Sequence, residues 1–389
     1  MKGTNFIIFF SVFLLLYGLV NFYIYLRGSQ ALPKNAMLHR AYTVFFLAVS
    51  LSYVFGRVLE KFYLGALSKT TIWAGSFWLA CMLYLFLALL AVDLFRLLGY
   101  LIPYLPSRES AAYVRLKTLT GAGVLAAVVI LVGAGYVNAA RPRVSHLRVD
   151  VSKRVPGLST LNIVLVTDIH MGTVIRNSRL DNLVRMVNAL GPDVILLAGD
   201  IVDEDLAPVI AQNSGAILCR FRSRYGVYAV TGNHEYIGGV EPAVAYLTRH
   251  GIRFLRDEHL LVDGKFYLVG REDRQSRLFL DRERKPLEEI LGGVDKTRPV
   301  ILLDHQPVRL NDAAVNGVDL QLSGHTHQGQ LWPVSLLVSK IYRISHGYGR
   351  ILDTHFYVSS GFGTWGPPVR VGNRPEIVQI QVHFKQGEM

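Results

Sequence analysis

The sequence predicts two parts: an N-terminal unit of four membrane-spanning helices, followed by an α/β domain. Three observations lead to this fold class. Four long apolar runs lie within residues 1–140, and hydrophobic residues make up 51% of the whole chain. From about Ser145 onward, short β-branched runs alternate with helical stretches, which is typical of an α/β domain with a largely buried sheet. With 389 residues the chain also fits two units better than one core. We expect the boundaries to lie at 1–140 and 145–385.

The four apolar runs are each about long enough to cross a hydrocarbon core of ~30 Å as a helix. They cover residues 6–26, 41–58, 72–95 and 119–138. Charged residues gather at their ends, and Trp73 and Trp78 suit the interfacial belts of a membrane protein. The alternatives are a cleavable signal peptide for the first run and buried helices for the others. No small-residue cleavage site precedes Arg27, so we predict a multi-pass protein of a cell membrane, the bacterial inner membrane.

The distribution of charge separates the two parts. Residues 1–140 contain eleven Lys and Arg but three Asp and Glu, so they carry +8 of the formal net charge of +12. A nucleic-acid binder would concentrate its basic residues on the folded domain, so no nucleic acid is expected as a partner. The balance of basic residues between the two sides of the membrane favours a cytoplasmic C-terminal domain. Cys81 and Cys219 fall in different units and form no disulfide framework.

The C-terminal part predicts a series of strands and one amphipathic helix. We expect strands at 163–167, 193–198, 227–231, 300–303 and 318–322, a hairpin over 260–269, a helix over 178–190, and closing strands at 356–359 and 377–384. The hairpin is favoured by Asp263-Gly264 near its centre.

Five of these strands end in residues that can bind a metal ion. The ends are TDIH at 167–170, GDIVD at 199–203, GNHE at 232–235, DHQP at 304–307 and GHTH at 324–327. Each motif alone is ordinary turn chemistry. Ligands of α/β sheets bind beyond the carboxyl ends of the strands, so we expect the five loops to converge. The six histidines of the C-terminal part that lie outside these motifs are expected on the surface or in the core: His146, His250, His259, His346, His355 and His383.

The ordered set of motifs resembles the signature of the calcineurin-like metallophosphoesterases. The resemblance covers residues 145–385 and implies an α/β sandwich with a dimetal site at the carboxyl ends of its strands. The stretch GHTHQGQ at 324–330 and the tail GFGTWGPPVRVGNRPEI at 361–377 resemble the membrane-associated bacterial branch of this superfamily.

The resemblance implies two divalent metal ions and a set of seven ligands. Asp200 would bridge the ions; Asp168, His170 and His327 would complete one site, and Asn233, His305 and His325 the other. Oxygen and nitrogen ligands without thiolate suit Mn, Zn or Fe. Two cations ~3.5–4 Å apart clamp phosphate oxygens and hold a metal-activated hydroxide in line with the scissile bond.

The resemblance also assigns two catalytic residues that bind no metal. His234 would protonate the leaving-group oxygen, and Asp203 would orient its imidazole and raise its pKa. Glu235 either supports the ligands from behind or is solvated, and we favour a solvated side chain.

Three features are specific to this chain. Asp203 is followed by Glu204-Asp205, whereas protein serine/threonine phosphatases continue with Asp-Arg-Gly, which argues against a phosphoprotein substrate. Arg370 either replaces the missing phosphate clamp or is solvated. The stretch REDRQSRLFLDRERK at 271–285 is expected to be a solvated loop leading into a helix. The alternative is a cap over the metal site, with apolar residues touching lipid and arginines meeting phosphate.

These features predict a membrane-anchored phosphoesterase that cleaves phosphoester or pyrophosphate bonds. The short connection near Arg141 favours a lipid-linked substrate, such as a UDP-linked acylated sugar, whose tail stays in the membrane. The alternatives are cell-wall or soluble nucleotide phosphoesters, or a non-catalytic protein that senses a ligand. Transport is disfavoured because the spans contain few charges. The oligomeric state stays open.

Overall fold

The computed structural model describes residues 2–101, 106–107 and 109–385, with side chains from residue 11 onward except those of 100 and 101. The chain separates into two compact units. One comprises Met1–Val137 with Gly366–Val369, and the other comprises Asn138–Trp365 with Arg370–Met389.

The first unit contains four long helices. They are α1 (Lys2–Ala31), α2 (Ala36–Glu60), α3 (Ala66–Leu101) and α4 (Ala111–Ala139). In each helix a stretch is long and apolar enough to cross a membrane: Ser11–Ala31, Ala36–Glu60, Ala66–Gly99 and Ala111–Ala139. Most of their large apolar side chains are exposed in the structure, as expected for surfaces that face lipid.

Several polar groups inside this unit are paired. Trp78 Nε1 donates to Asn21 Oδ1 at 2.9 Å, and the Tyr23 hydroxyl donates to Asp93 at 2.6 Å. Asp93 lies in the third predicted span, and Arg27 pairs with it at 2.6 Å. The pairing offsets the cost of placing a carboxylate at membrane depth.

The second unit is built from two six-stranded sheets and short helices. The strands are β1 (Arg143–Val151), β2 (Thr160–Val166), β3 (Val194–Ala198), β4 (Val227–Val230), β5 (Arg253–Phe254), β6 (Glu258–Val262), β7 (Phe266–Gly270), β8 (Val300–Leu303), β9 (Leu320–Ser323), β10 (Gly347–Ile351), β11 (Thr354–Val358) and β12 (Glu376–Phe384). The helices are α5 (Asn177–Ala189), α6 (Ala207–Ala211), α7 (Ser214–Leu218), α8 (Asn233–Gly238), α9 (Val240–Arg249), α10 (Ser276–Phe279), α11 (Leu287–Ile290), α12 (Leu310–Val315) and α13 (Val334–Ile341), with a 3₁₀ turn at His327–Gly329.

The two sheets have the orders β1-β12-β2-β3-β4-β5 and β10-β11-β9-β8-β7-β6. In the first sheet β2, β3, β4 and β5 are parallel, and β12 joins β2 in antiparallel fashion. In the second sheet β7, β8, β9 and β11 are parallel, with β6 and β10 antiparallel at the edges. Each sheet therefore has a parallel centre whose carboxyl ends lie along one edge.

Strand β2 shows how the layers are held together. Leu161, Ile163 and Leu165 point into a core shared with residues of the second sheet, whereas Val164 and Val166 point into a core formed with the neighbouring helices. Alternate residues of a strand face opposite sides, so β2 is buried on both faces. A third core covers the outer face of the second sheet with α11 and α12. The unit is thus a sandwich of two sheets flanked by helices.

The strand pattern alone favoured one buried sheet, whereas the resemblance implied a sandwich, and the structure contains the two sheets of a sandwich. Strands buried on both faces read as continuous apolar runs, so the pattern does not reveal which sheet a strand joins. The predicted hairpin is present as β6 and β7, but β7 also pairs in parallel with β8. The two closing strands separate, with β11 in the second sheet and β12 in the first.

Candidate metal centre

The motif loops meet where the parallel strands of both sheets end. TDIH, GDIVD and GNHE follow the neighbouring strands β2, β3 and β4, and DHQP and GHTH follow the neighbouring strands β8 and β9. The structure gathers their acidic and imidazole side chains into three groups, with ligand atoms within 4.8 Å of one another: Asp168 with His170 and His327, Asp200 with His305 and His325, and His170 with Asp203 and His234.

The first group has two imidazole nitrogens facing each other. Nε2 of His170 lies 3.0 Å from Nε2 of His327, which is 3.6 Å from Oδ1 of Asp168. All three side chains are buried. Oδ2 of Asp168 has no hydrogen-bond partner in the part of the chain that the structure describes. A buried carboxylate oxygen without a partner, beside two converging imidazoles, is an arrangement that a cation would satisfy.

The second group centres on Asp200 and Asn233. Oδ2 of Asp200 lies 3.1 Å from Nε2 of His305, and Oδ1 of Asn233 lies 2.8 Å from Nδ1 of His325. Nδ1 of His305 donates to the carbonyl of Ala198 at 2.7 Å, which turns Nε2 toward the centre. Such a backbone bond is the usual way in which a metal-binding histidine is oriented.

Asp200 lies between the two groups. The same Oδ2 that pairs with His305 is 3.9 Å from Nε2 of His170, and Oδ1 accepts the backbone N–H of His234 at 2.9 Å. Burial opposes ionisation of Asp200, but His305 and His234 outweigh it and hold the pKa of the carboxyl well below its ordinary value. Asp200 is therefore an anionic oxygen donor placed between two sets of imidazoles.

The imidazoles of the GHTH motif are held neutral. Burial lowers the pKa of His325 to about 3, and burial together with His170 and Arg370 keeps the pKa of His327 well below its ordinary value. Neutral imidazole is the form that binds metals. The donor set of carboxylate, amide and imidazole groups fits Mn, Fe or Zn.

The backbone at these positions is in an unusual conformation. Left-handed φ angles occur at Asp168 (52°), His170 (52°), Asp200 (51°), His325 (71°) and His327 (46°). Non-glycine residues adopt this region at an energetic cost, and such outliers concentrate at functional sites.

Two motif glycines are required by close packing. A Cβ atom on Gly232 would collide with Oδ1 and the backbone nitrogen of Asp200, and one on Gly324 would collide with Oδ2 of Asp168. The glycines of GNHE and GHTH therefore leave room for carboxylates of other loops.

His234 lies beside the first group and faces a carboxylate. Its Nδ1 is 3.4 Å from Oδ1 of Asp203, and its ring packs edge-on against that of His170 with centroids 4.6 Å apart. Burial alone would lower the pKa of His234, but Asp200 and Asp203 raise it to about 9. The imidazole is thus kept protonated, as an acid requires.

The expectation that Glu235 is solvated is wrong. Glu235 is 1% exposed, and its carboxylate accepts four backbone N–H groups, from Asp200, Ile201, Val202 and Gly232. Glu235 is the third residue of α8 and bonds back to the residue before the helix, as in a capping box. The pattern Gly-x-x-Glu at a strand-to-helix junction was the signal that could have revealed this role.

Arg370 is neither solvated nor free to grip a substrate. Its side chain is fully buried, and Nη2 donates to the carbonyls of Ser360 and Gly363 at 2.7 and 2.6 Å. Burial lowers its pKa to about 9. Nη2 also lies 3.3 Å from Nδ1 of His327. Arg370 therefore organises the tail loop behind a candidate ligand.

The stretch 271–285 is buried at its start and exposed over most of its remainder, so the expected solvated loop is present only after Asp273. Arg271, Glu272 and Asp273 are buried at the carboxyl end of β7, because they pair with groups of the neighbouring loops. The following helix α10 packs against α8, which carries Asn233 and His234. Its apolar end, Leu278–Leu280, is exposed. The exposed end fits the solvated loop that was favoured, and the contact of α10 with α8 fits the alternative of a cap.

Trp365 is a neighbour of the site that the motifs did not reveal. Its ring stands edge-on to that of His234 with centroids 6.0 Å apart, and the side chain is 53% exposed. The side-chain amide of Gln330 holds its backbone through two bonds, at 3.0 and 2.9 Å. An exposed indole beside an acid is suited to contact a substrate.

Comparisons with known proteins identify similar sequences and structures. The family described as calcineurin-like phosphoesterase matches residues 161–329. A Campylobacter jejuni protein, named as an uncharacterized metallophosphoesterase, is 31% identical over 98% of this chain and 100% of its own length. A solved structure, the 5′-nucleotidase precursor from Thermus thermophilus, is 14% identical with a TM-score of 0.36, and the match covers 58% of this chain and 54% of that one.

Membrane-associated relatives are also present. A Bos taurus protein named transmembrane protein with metallophosphoesterase domain is 35% identical over 63% of this chain. The match covers 58% of the bovine protein, so the chain spans less than two thirds of that relative. The four apolar helices and the transmembrane relatives together indicate a membrane protein.

Proposed function

Because the chain belongs to the calcineurin-like phosphoesterases, which hydrolyse phosphoester bonds with divalent metals, we propose that it is a membrane-anchored phosphoesterase with a two-metal site. The observation that carries the proposal is the convergence of buried carboxylate and imidazole groups from five strand ends. We assign one ion to Asp168, His170 and His327, the other to Asn233, His305 and His325, and a bridging role to Asp200. When bound, Mn, Zn or Fe ions would polarise the phosphoryl oxygens and activate water as the nucleophile.

His234 is the proposed acid of the reaction. Its Nδ1 faces Asp203, which leaves Nε2 to give a proton to the departing oxygen. Asp203 is buried, so its negative charge is poorly screened by solvent and holds the imidazole protonated. The backbone bond from His234 N to Asp200 fixes the acid relative to the proposed bridging ligand.

The proposed substrate is a lipid-linked phosphate ester or pyrophosphate, such as a nucleotide-activated acylated sugar. Only three residues separate the end of α4 at Ala139 from the start of β1 at Arg143, which limits how far β1 lies from the membrane. Helix α13 follows the 3₁₀ turn of His327 and has no buried residue.

The exposed residues of α13 support a membrane-facing role. Leu336, Leu337 and Ile341 are 55%, 62% and 73% exposed, and Lys340 lies among them. An apolar helix with basic residues is suited to lie at a lipid interface. The proposed side is the cytoplasmic face of a bacterial inner membrane, which the distribution of basic residues favours.

The proposal is tested with full-length protein in lipid nanodiscs and bis(p-nitrophenyl) phosphate as the probe. Hydrolysis should disappear with a chelator and return with Mn, Zn or Fe. Asp200→Asn should abolish turnover and lower metal occupancy together, because it removes the anionic oxygen between the two ligand groups. Normal rates with two tightly bound ions in Asp200→Asn would overturn the assignment.

A further inference from the structure

A cleft of about 650 Å³ opens at the carboxyl ends of β7 and β8, next to the candidate metal centre. Gln306, which follows the proposed ligand His305 directly in the chain, lines it. Six basic side chains also line the cleft: Arg271, Arg274, Arg277, Arg284, Lys285 and Arg309. None of these six residues belongs to the metal-binding motifs, so the cleft is a separate feature of this chain.

The cleft carries a surplus of positive charge. Three acidic residues line it, Glu283, Glu288 and Asp312, against the six basic ones, and two of them form ion pairs: Glu283 with Arg277 at 3.1 Å and Asp312 with Arg309 at 3.0 Å. Asp304 is shared by two of these arginines: Arg271 lies 3.4 Å and Arg284 3.0 Å from its oxygens. One carboxylate between two guanidinium groups leaves one positive charge to be neutralised.

Arg271 indicates which kind of ligand the cleft would bind. Its side chain is 6% exposed, and its Nε has no hydrogen-bond partner among the residues that the structure describes. A buried charged donor without a partner is costly, and a planar guanidinium is suited to bind phosphate through two bonds. The exposed side chain of Arg274 forms no ion pair or hydrogen bond within the described part of the chain.

Gln306 connects the cleft to the metal centre through the chain, because it directly follows the proposed ligand His305. Nε2 of Gln306 donates to both oxygens of Asp273, at 3.1 and 2.9 Å, and Asp273 follows Arg271 by two residues. Helix α10, which begins at Ser276, packs against α8 with its proposed acid His234. A ligand in the cleft therefore lies beside the groups that would hold a reacting phosphate.

We propose that this cleft binds a second phosphate-type group of the substrate while the first is held at the metal centre. The proposal rests on the proposed function and narrows it: the preferred substrates carry at least two phosphate groups, as in a pyrophosphate ester. Arg271 and Arg284 grip the second group from the buried side, and Arg274 completes the grip from the exposed side.

The first test measures binding without catalysis. Full-length protein is stripped of metals with a chelator, dialysed and titrated calorimetrically with inorganic pyrophosphate. Arg274→Gln should weaken binding about tenfold, the loss of roughly one charge-assisted hydrogen bond. Arg271→Gln should weaken it further, and Arg271→Lys should restore part of the loss. Arg350→Gln, an exposed arginine on β10 outside the cleft, is the matched control and should bind normally.

The second test asks whether the bound group belongs to the substrate. UDP and UMP are compared as inhibitors of bis(p-nitrophenyl) phosphate hydrolysis, because they differ by one phosphate. UDP should compete about tenfold better in the wild type, and the difference should shrink in Arg274→Gln but not in Arg350→Gln.

The outcomes separate this inference from the proposed function. If the protein hydrolyses the probe but UDP inhibits the wild type and all variants equally, the proposed role of the cleft is wrong and the proposed phosphoesterase activity is unaffected. Pyrophosphate binding that never competes with hydrolysis assigns the cleft to a free anion and also overturns the inference. Arginine-dependent pyrophosphate binding without any metal-dependent hydrolysis overturns the phosphoesterase and, because the inference rests on it, also the assignment of the cleft to a substrate phosphate.

Discussion

Oδ1 of Asp203 lies 3.4 Å from Nδ1 of His234 and 3.5 Å from Nδ1 of His170. One buried carboxylate therefore faces two imidazoles, those of the proposed acid and of a proposed metal ligand. Each imidazole would present its other nitrogen, Nε2, to the reaction. Because both imidazoles face the same carboxylate, the orientation of the proposed acid is coupled to that of the proposed metal ligand.

Replacing His234 should separate chemistry from metal binding. In His234→Ala we expect normal metal content and a kcat lower by ~10²–10⁴, the range for a lost general acid. The loss should be smaller for p-nitrophenyl than for phenyl esters, because a good leaving group needs no proton. Rates for both esters and metal content by mass spectrometry check this. An equal loss for both esters would point to a purely electrostatic role.

Replacing Asp203 should affect both functions at once. In Asp203→Asn we expect kcat to fall and metal affinity to weaken by about 10–100-fold, the usual effect of removing a partner that orients a ligand. Metal titration and kinetics on the same sample measure the two effects. Asp205→Asn is the control, since Asp205 caps the backbone of Ala207 instead. Unchanged metal affinity in Asp203→Asn would remove His170 from this relationship.

Glu235 should matter for stability rather than for the chemical step alone. Glu235→Gln replaces one acceptor oxygen by an NH₂ group facing backbone N–H donors, and each unsatisfied buried donor costs about 1–3 kcal/mol. The apparent Tm of metal-free protein in detergent should therefore fall clearly. Glu258→Gln, at an exposed position on β6, should leave it unchanged. An unaltered Tm in Glu235→Gln would show that the four bonds contribute little.

Glu376 should make stability depend on pH in the acid range. Burial alone would raise its pKa, but His346, Ser145 and the backbone N–H of Ser360 lower it to about 2. Because the folded pKa lies below the unfolded one, the stabilisation is present above pH ~4.5 and is lost as the pH falls toward 2. It amounts to about 3 kcal/mol when complete.

Glu376→Gln tests this sign directly. The difference in free energy of unfolding between wild type and variant should be largest near pH 6 and should shrink toward pH 3. Denaturant titrations at both pH values measure it, with Glu258→Gln as the control. A difference that grows on acidification would contradict the argument.

Helix α13 should distinguish acylated from deacylated substrates. Leu337 and Ile341 lie four residues apart and therefore on one face. Leu337→Glu combined with Ile341→Glu should lower kcat/KM for a UDP-acylated sugar about tenfold in nanodiscs, because two apolar contacts with lipid are lost. The deacylated sugar and bis(p-nitrophenyl) phosphate should be hydrolysed as before. Val315→Glu, exposed on α12, is the matched control. Equal effects on both sugars would exclude this role for α13.

The sequence was most informative where a motif follows an apolar strand. Asp168, Asp200 and His305 directly follow buried strands, so their place at one edge could be predicted from the alternation of strands and helices alone. The contacts between loops that are distant in the sequence could not be predicted in this way. The contact of Asp203 with His170 and the contact of Arg370 with tail carbonyls depend on how loops fold back, which no local pattern encodes.

The burial of charged residues was the second feature that could not be predicted from the sequence. Glu235 and Arg271 belong to residue types that are usually solvated, and their burial depends on partners far away in the chain. The strand pattern alone did not divide the strands between the two sheets of the sandwich, because strands such as β2 and β8 are equally apolar and differ only in their neighbours.

The left-handed backbone at Asp168, His170, Asp200, His325 and His327 has a consequence for descent within the family. Each such conformation costs on the order of 1–3 kcal/mol and is tolerated while catalysis is under selection. In a lineage that has lost hydrolysis, substitution by glycine or asparagine at any of these five positions would lower the conformational energy of the backbone. Such substitutions should therefore appear early in a relative that keeps the fold but has lost hydrolysis, before the sequence of its core strands changes.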